Sequence, residues 1–231
     1  MGKYAAIVLA AGSGSRMNTQ VHKQYLLLQG KPILYYSLKA FEESPVDEII
    51  LVVGKGEITY CQTEIIEKCH ITKVSHIIEG GKERYHSVFE GLKYTEKADY
   101  VLIHDGARPF LNQQIIRQSM DAVIKYQACV IGMPVKDTIK IADDDCYAKE
   151  TPERKKVWMI QTPQTFERKL IYDAYEKMLQ NEDSAITDDA MVLERVTGKK
   201  TKLIPGSYRN IKITTPEDLL IADVYLENPE K

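Results

Sequence analysis

The stretch AAIVLAAGSGSR, residues 5–16, joins a run of apolar residues to a loop of small ones that ends in an arginine. A continuous apolar run of this length predicts a strand buried on both faces. Gly12 and Gly14 permit backbone torsions and close approach that side chains would block. Successive backbone N–H groups in such a loop can cradle an anion. Arg16, and Lys23 seven residues later, supply the positive charge that a phosphate chain requires. The stretch is not a Walker A loop, and Met17 stands where the third glycine of a dinucleotide fingerprint would fall. Two readings of the loop therefore stand side by side: a phosphate cradle, or a plain strand-to-helix turn with solvated cations.

Outward from this loop, apolar runs recur as EIILVVG (48–54), VSHIIEG (74–80), YVLIHDG (100–106) and CVIGMPV (129–135). Stretches with helical spacing separate them. In KPILYYSLKAFEES, Leu34, Leu38 and Phe41 share one face, and Pro32 suits a first turn. EITYCQTEIIEKC, ERYHSVFEGLKYT and QQIIRQSMDAVIKYQ also read as helices. Alternating strands and helices predict an α/β fold, a mostly parallel sheet covered on both faces. Ligands of such sheets sit outside the carboxyl ends of the strands, where both the opening loop and HDGARPF fall.

The alternation breaks near residue 136. KDTIKIADDDCYAKETPERKKVWMIQTPQTF mixes polar and apolar residues around an acidic turn and reads as a hairpin or arm projecting from the sheet. Helices are then expected from about 167 and about 188, short strands at KLIPG and NIKIT, and a last helix after Thr215-Pro216. With no repeat, low-complexity tract or linker, a single domain over 1–231 with an arm at about 136–160 is the economical organisation.

The formal net charge of −2 over 231 residues offers no global basic field for nucleic acid. No stretch is long and apolar enough to span a membrane. The first apolar segment runs straight into the glycine loop without a cleavage-site pattern, so it reads as a strand rather than a signal peptide. Cys61, Cys69, Cys129 and Cys146 show no metal spacing, and reduced thiols in a cytoplasmic protein are the simplest expectation.

Four further motifs each carry two readings. In YVLIHDGARPF, Asp105 at a strand end is placed to meet Mg²⁺ and Arg108 to take an anion, or Asp105 caps a turn and pairs with Arg108. In EGGKERYHSV, Gly81 and Ser87 either meet a base or phosphate at a helix start or only form that start. In TDDAMVLERVTG, Thr187 is expected as the N-cap, with Asp188 and Asp189 at the positive helix end. In GSYRNIKITTPEDL, Lys212 points away from Ile211 and Ile213 along an expected strand, toward solvent or toward a ligand.

Order and spacing join these motifs. AAGSGSRM, KQYLLLQGKPIL, GGKERYHSV, HDGARPF, PVKDTIK, QTPQTF, TDDA and NIKITTPEDL follow one another across essentially the whole chain. In this the chain resembles the methylerythritol-phosphate cytidylyltransferases of the non-mevalonate isoprenoid pathway. The resemblance implies a Rossmann-like nucleotidyltransferase fold with a projecting β-arm that clasps a second subunit in a homodimer. It implies transfer of CMP from CTP to 2-C-methyl-D-erythritol 4-phosphate, with Mg²⁺ and release of pyrophosphate. Ala10, Ala11, Gly12, Gly14, Gly81 and Ser87 would hold CTP, together with Arg16 and Lys23, which would stabilise charge at the α-phosphate. Asp105 would act at the junction of nucleotide, metal and substrate. Arg108, Arg154, Thr162, Thr187 and Lys212 would surround the sugar phosphate, with Arg154 and Lys212 counted among the catalytic residues. Lys82 stands where some members carry Asp and receives no base-reading role. Two rivals are a ribitol-5-phosphate cytidylyltransferase, against which DGAR speaks, and a non-catalytic nucleotide-binding protein on the same fold.

Overall fold

The computed structural model describes residues 2–12, 22–180 and 185–228. Gly14 and Arg16 lie outside them. The opening apolar run is strand β1 (Tyr4–Ala10), inside a seven-stranded sheet. Its alternate side chains feed two cores: Ala6, Val8 and Ala10 enter one, Ala5 and Ile7 the other. That is why the run carries no polar alternation.

Two two-residue strands, β2 (Leu27–Leu28) and β3 (Lys31–Pro32), lead into helix α1 (Ile33–Glu42). Strand β4 (Glu48–Val53) follows, then a short α2 (Ile58–Tyr60) that continues as a π-helical stretch over Cys61–Glu67. Strand β5 (Val74–Glu79), helix α3 (Arg84–Leu92), strand β6 (Tyr100–Asp105), helix α4 (Gln113–Tyr126) and strand β7 (Ala128–Pro134) complete the expected alternation. After a small hairpin of β8 (Ile141–Ala142) and β9 (Ala148–Glu150) come β10 (Trp158–Glu167), α5 (Arg168–Gln180), α6 (Asp189–Thr197), β11 (Lys202–Pro205) and α7 (Pro216–Glu227).

The sheet order is β11-β7-β10-β6-β1-β4-β5. All pairs are parallel except those of β10, which runs antiparallel to both β6 and β7. One face is covered by α1 and α4 through Leu34, Leu38, Phe41, Ile116 and Val123. The other is covered by α3, α5 and α6 through Val88, Leu92, Ile171, Tyr175 and Leu193. Residues 140–151 are exposed throughout.

Three sequence expectations change. The arm region does not stay outside: from Trp158 the chain re-enters the sheet between β6 and β7. Its interior part, Gln161, Thr162, Gln164 and Thr165, is polar yet buried, so it shows neither an apolar run nor alternation. NIKIT forms no strand. It is held at single points, with Ile213 N–H donating to the Ala107 carbonyl at 2.9 Å. The N-cap of α6 is Asp188, not Thr187: the Asp188 carboxylate accepts the Met191 N–H at 2.8 Å. A carboxylate is as good a cap as a hydroxyl, and here it also accepts a bond from Gln164 Nε2 at 3.0 Å, which settles the register.

Candidate active site

The carboxyl ends of β1 and β6 open on a cavity of about 370 Å³. Ala10, Ala11, Gly12, Lys23, Gly81, Ser87, Asp105 and Lys212 all line it, as do Gln24, Lys82, Glu83 and Arg84. The β6 end is tied to the β1 end by Gly106 N–H donating to the Leu9 carbonyl at 2.8 Å. Gln24 is buried, and its side-chain amide donates to the Ala10 carbonyl. This bond anchors the turn that delivers Lys23 to the cavity, and the sequence reading missed Gln24. A Cβ at Gly12 would meet no described protein atom within 4 Å. Packing among the described residues therefore does not require that glycine, and the space it leaves free lies beside the cavity.

The Gly80–Gly81 turn is different, because here packing does require glycine. A Cβ at Gly80 would lie 2.6 Å from the Ser87 hydroxyl, and one at Gly81 would lie 2.3 Å from His86 Cβ. The Ser87 hydroxyl accepts the Gly81 N–H at 3.1 Å and donates to the Glu83 carbonyl at 3.2 Å. Ser87 thus shapes the turn that lines the cavity as well as lining it. Helix α3 starts there with a reciprocal cap between Glu83 and His86.

A second cavity of about 310 Å³ adjoins on the side of β10 and α6. Asp105, Arg108, Thr162, Thr187 and Lys212 line it, together with Arg84, Gln164 and Asp188. Thr187, relieved of capping, is exposed there. Arg154 lines neither cavity. It lies on the exposed arm, and its Nη1 donates to the Lys136 carbonyl at 3.2 Å.

The cavities share Arg84, Asp105 and Lys212. Asp105 Oδ2 is 2.9 Å from Lys212 Nζ and 3.8 Å from Arg108 Nε, and Oδ1 is 3.3 Å from Arg84 Nε. Burial by itself would raise the Asp105 carboxyl, but Arg84, Lys212 and Arg108 together outweigh it and hold the group far below the usual carboxylate range. Asp105 is therefore ionised at any working pH. Lys212 is set in place from both sides: Asn210 Nδ2 donates to the Thr162 carbonyl at 2.9 Å, and Ile213 is bound to Ala107.

Behind Asp105 runs a buried relay. The Arg108 carbonyl can only accept, so His104 Nε2, 3.3 Å away, carries the proton. Burial pushes the imidazole down to about 4, so it is neutral and its Nδ1 accepts from the Thr162 hydroxyl at 2.9 Å. That hydroxyl oxygen in turn accepts the Asp105 N–H at 3.1 Å. Thr162 lines the cavity, yet its proton is committed inward.

Among the described residues no cluster of three or more His, Cys, Asp or Glu could hold a metal by itself. Asp105 is one carboxylate with cations on both oxygens. Such a donor set does not fit a protein-built cage; it leaves room only for a hard cation that phosphate oxygens would hold, with this one carboxylate beside it.

A mostly parallel sheet with a small-residue loop at the end of its first strand, a lysine beside that loop and a cation-ringed carboxylate at the neighbouring strand is the arrangement of a nucleotidyltransferase. Comparison with known proteins narrows the class. The family model described as "IspD: 2-C-methyl-D-erythritol 4-phosphate cytidylyltransferase" matches residues 4–228, and the chain belongs to that family. It is 54% identical over 224 residues to the 2-C-methyl-D-erythritol 4-phosphate cytidylyltransferase of Lachnospira eligens, covering 96% of this chain and 98% of that protein. It is 47% identical over 224 residues to the protein of the same name from Caldanaerobacter subterraneus subsp. tengcongensis, covering 96% and 98%. Among solved structures, the 4-diphosphocytidyl-2C-methyl-D-erythritol synthase of Anaerococcus prevotii superimposes with a TM-score of 0.87 at 38% identity, over 98% of this chain and 97% of that one.

Proposed function

We propose that this cytidylyltransferase joins CTP to 2-C-methyl-D-erythritol 4-phosphate, releasing pyrophosphate and forming 4-diphosphocytidyl-2-C-methyl-D-erythritol. The observation that carries the reading is the pair of adjoining cavities that share the Asp105–Lys212 ion pair. The cavity at the β1 loop receives the nucleotide, and the one between β10 and α6 receives the sugar phosphate. A phosphate oxygen of the sugar phosphate attacks the α-phosphorus of CTP in line, forming a P–O bond as the bond to the departing pyrophosphate breaks. The nucleophile is already an anion, so no general base is needed, and positioning and charge neutralisation carry the rate. Lys23 neutralises charge developing at the α-phosphate. Arg16, which the family resemblance assigns to the same role, lies outside the described residues.

Lys212 and Arg108 hold the incoming phosphate against the repulsion of a second anion. Asp105 is the residue that would meet a Mg²⁺ ion carried mainly by the triphosphate, and the ion would supply charge neutralisation of the phosphate oxygens. The arm over residues 136–160 embraces a second subunit, and Arg154 serves the partner's site. In family terms the setting is the cytoplasm, and among the described residues no helix is long and apolar enough to cross a membrane.

The test is pyrophosphate release from CTP with 2-C-methyl-D-erythritol 4-phosphate and, separately, with ribitol 5-phosphate, each with Mg²⁺ and with excess chelator. Turnover with the first acceptor alone, abolished by chelation, is expected. Turnover with ribitol 5-phosphate alone would replace the reading, and undiminished turnover in chelator would remove the metal from it.

A further inference from the structure

Arg84 follows the Gly80–Gly81 turn as the first residue of α3, and it lines both cavities. Its Nη1 and Nη2 lie 2.8 and 2.9 Å from the two carboxylate oxygens of Asp189, and its Nε lies 3.3 Å from Asp105 Oδ1. Asp189 is fully buried at the start of α6 and also accepts the Tyr175 hydroxyl at 2.5 Å. One planar guanidinium therefore fills two carboxylates at once, with its fork on the buried one and its inner nitrogen on the one at the cavity junction.

We propose that Arg84, clamped by Asp189, is the positioning residue that sets the orientation of Asp105 where the two cavities meet. The inference deepens the reading of those cavities as nucleotide and sugar-phosphate sites and rests on it.

The geometry argues for positioning over stability. A buried ion pair gains little over a well-packed apolar pair, so Asp189 is a poor choice if holding α6 to α3 were its only task. What the pair does achieve is a rotation lock. With both Nη groups on Asp189, the plane of the guanidinium is fixed and Nε faces Asp105. Asp105 is then gripped from opposite sides, on Oδ1 by α3 through Arg84 and on Oδ2 by Lys212. Fixing the carboxylate fixes Lys212, and with it the cation that meets the sugar phosphate. A lysine at position 84 would keep the charge but reach only one of the two carboxylates.

The experiment uses the full chain with CTP, Mg²⁺ and 2-C-methyl-D-erythritol 4-phosphate. Arg84→Lys, Asp189→Asn and the double variant are compared with the parent for kcat, both KM values and Tm, well below every Tm. Each single variant is expected to lower kcat by about 10- to 100-fold, and the double variant no further than the worse single, because both break one clamp. In Arg84→Ala, millimolar guanidinium ion, but not the same concentration of sodium, is expected to restore part of kcat. A structural brace would not show that rescue once the protein is folded. If the parent is active and the single variants keep kcat within twofold while only Tm falls, the inference is overturned and the reading of the cavities stands. Additive losses in the double variant, or no rescue by guanidinium, overturn it as well. A silent parent overturns both.

Discussion

Lys212 Nζ lies 2.9 Å from Asp105 Oδ2, although more than a hundred residues of sequence separate the two. Asp105 ends a central strand, and Lys212 sits on a pinned loop before the last helix. Lys212→Ala should lower kcat/KM for the sugar phosphate by about 10²-fold or more, with the KM for CTP changed far less. Lys212→Arg should not restore it, because the planar guanidinium cannot occupy the place of a compact ammonium between two pinned residues. Steady-state kinetics with each substrate varied in turn checks both statements. An equal loss toward CTP would reassign Lys212 to the nucleotide.

Lys23 is delivered to the nucleotide cavity by the turn that Gln24 ties to Ala10. Lys23→Ala should reduce kcat by about 10²-fold or more, since its charge is needed chiefly as the α-phosphate becomes pentavalent. A change confined to KM would show that Lys23 serves ground-state binding instead.

The cap of α6 separates stability from binding at two adjacent residues. Asp188→Ala should cost about 1 kcal/mol, which for a chain of this size is a Tm loss of about 2–4 °C. Thr187→Ala should leave Tm nearly unchanged and raise KM for the sugar phosphate. Thermal melts and kinetics on the two variants read this directly, and the opposite pattern would return the cap to Thr187.

The buried imidazole of His104 makes stability depend on pH. Burial lowers its folded pKa to about 4, against about 6.5 for an exposed histidine. The unfolded chain therefore binds the extra proton first as pH falls. The stabilisation is complete above about pH 6.5 and is lost as pH falls from there toward 4, with a full span on the order of 3 kcal/mol. His104→Gln should be less stable at pH 7 but lose less Tm than the parent between pH 7 and pH 5. Parallel slopes for the two proteins would remove His104 from the account.

Arg154 lines neither cavity of its own chain, and the arm that carries it is exposed. Ile141 there is nearly half exposed, as is Met159 where the chain re-enters the sheet, which suits burial against a second copy. Refolding Lys23→Ala and Arg154→Ala chains together in equal amounts tests whether Arg154 acts across a two-fold interface. If it does, mixed dimers hold one intact site each, and about a quarter of parent activity should return. No recovery would place Arg154 in its own site, and a monomer at assay concentration would end the proposal.

The sequence by itself determined the features that depend on short-range pattern. The run AAIVLA is apolar at every position because β1 feeds both cores, and that unbroken apolar run followed by a glycine loop is what marks a central strand. Asp105 and Ala10–Gly12 stand at strand ends, where an α/β sheet binds its ligands, and they do line the cavity there; from the sequence their roles came only with the family resemblance. Motif order supplied the rest of the family assignment.

Only the tertiary structure decided the placements that depend on contacts far apart in sequence. Residues 161–165 are polar apart from Pro163, and they form the interior of β10 because their buried side chains find partners: Gln161 meets Ser207, Thr162 meets His104, and Gln164 meets Asp188. No local pattern announces such a strand. Arg84 stood inside a quoted motif without a role, since its meaning lies in Asp189, more than a hundred residues away, and in Asp105. Gln24 was silent for the same reason: a buried amide is informative only once its acceptor is known. Periodicity reports which face a residue turns inward, but a hydrogen bond or ion pair between distant segments exists only after the chain has closed on itself.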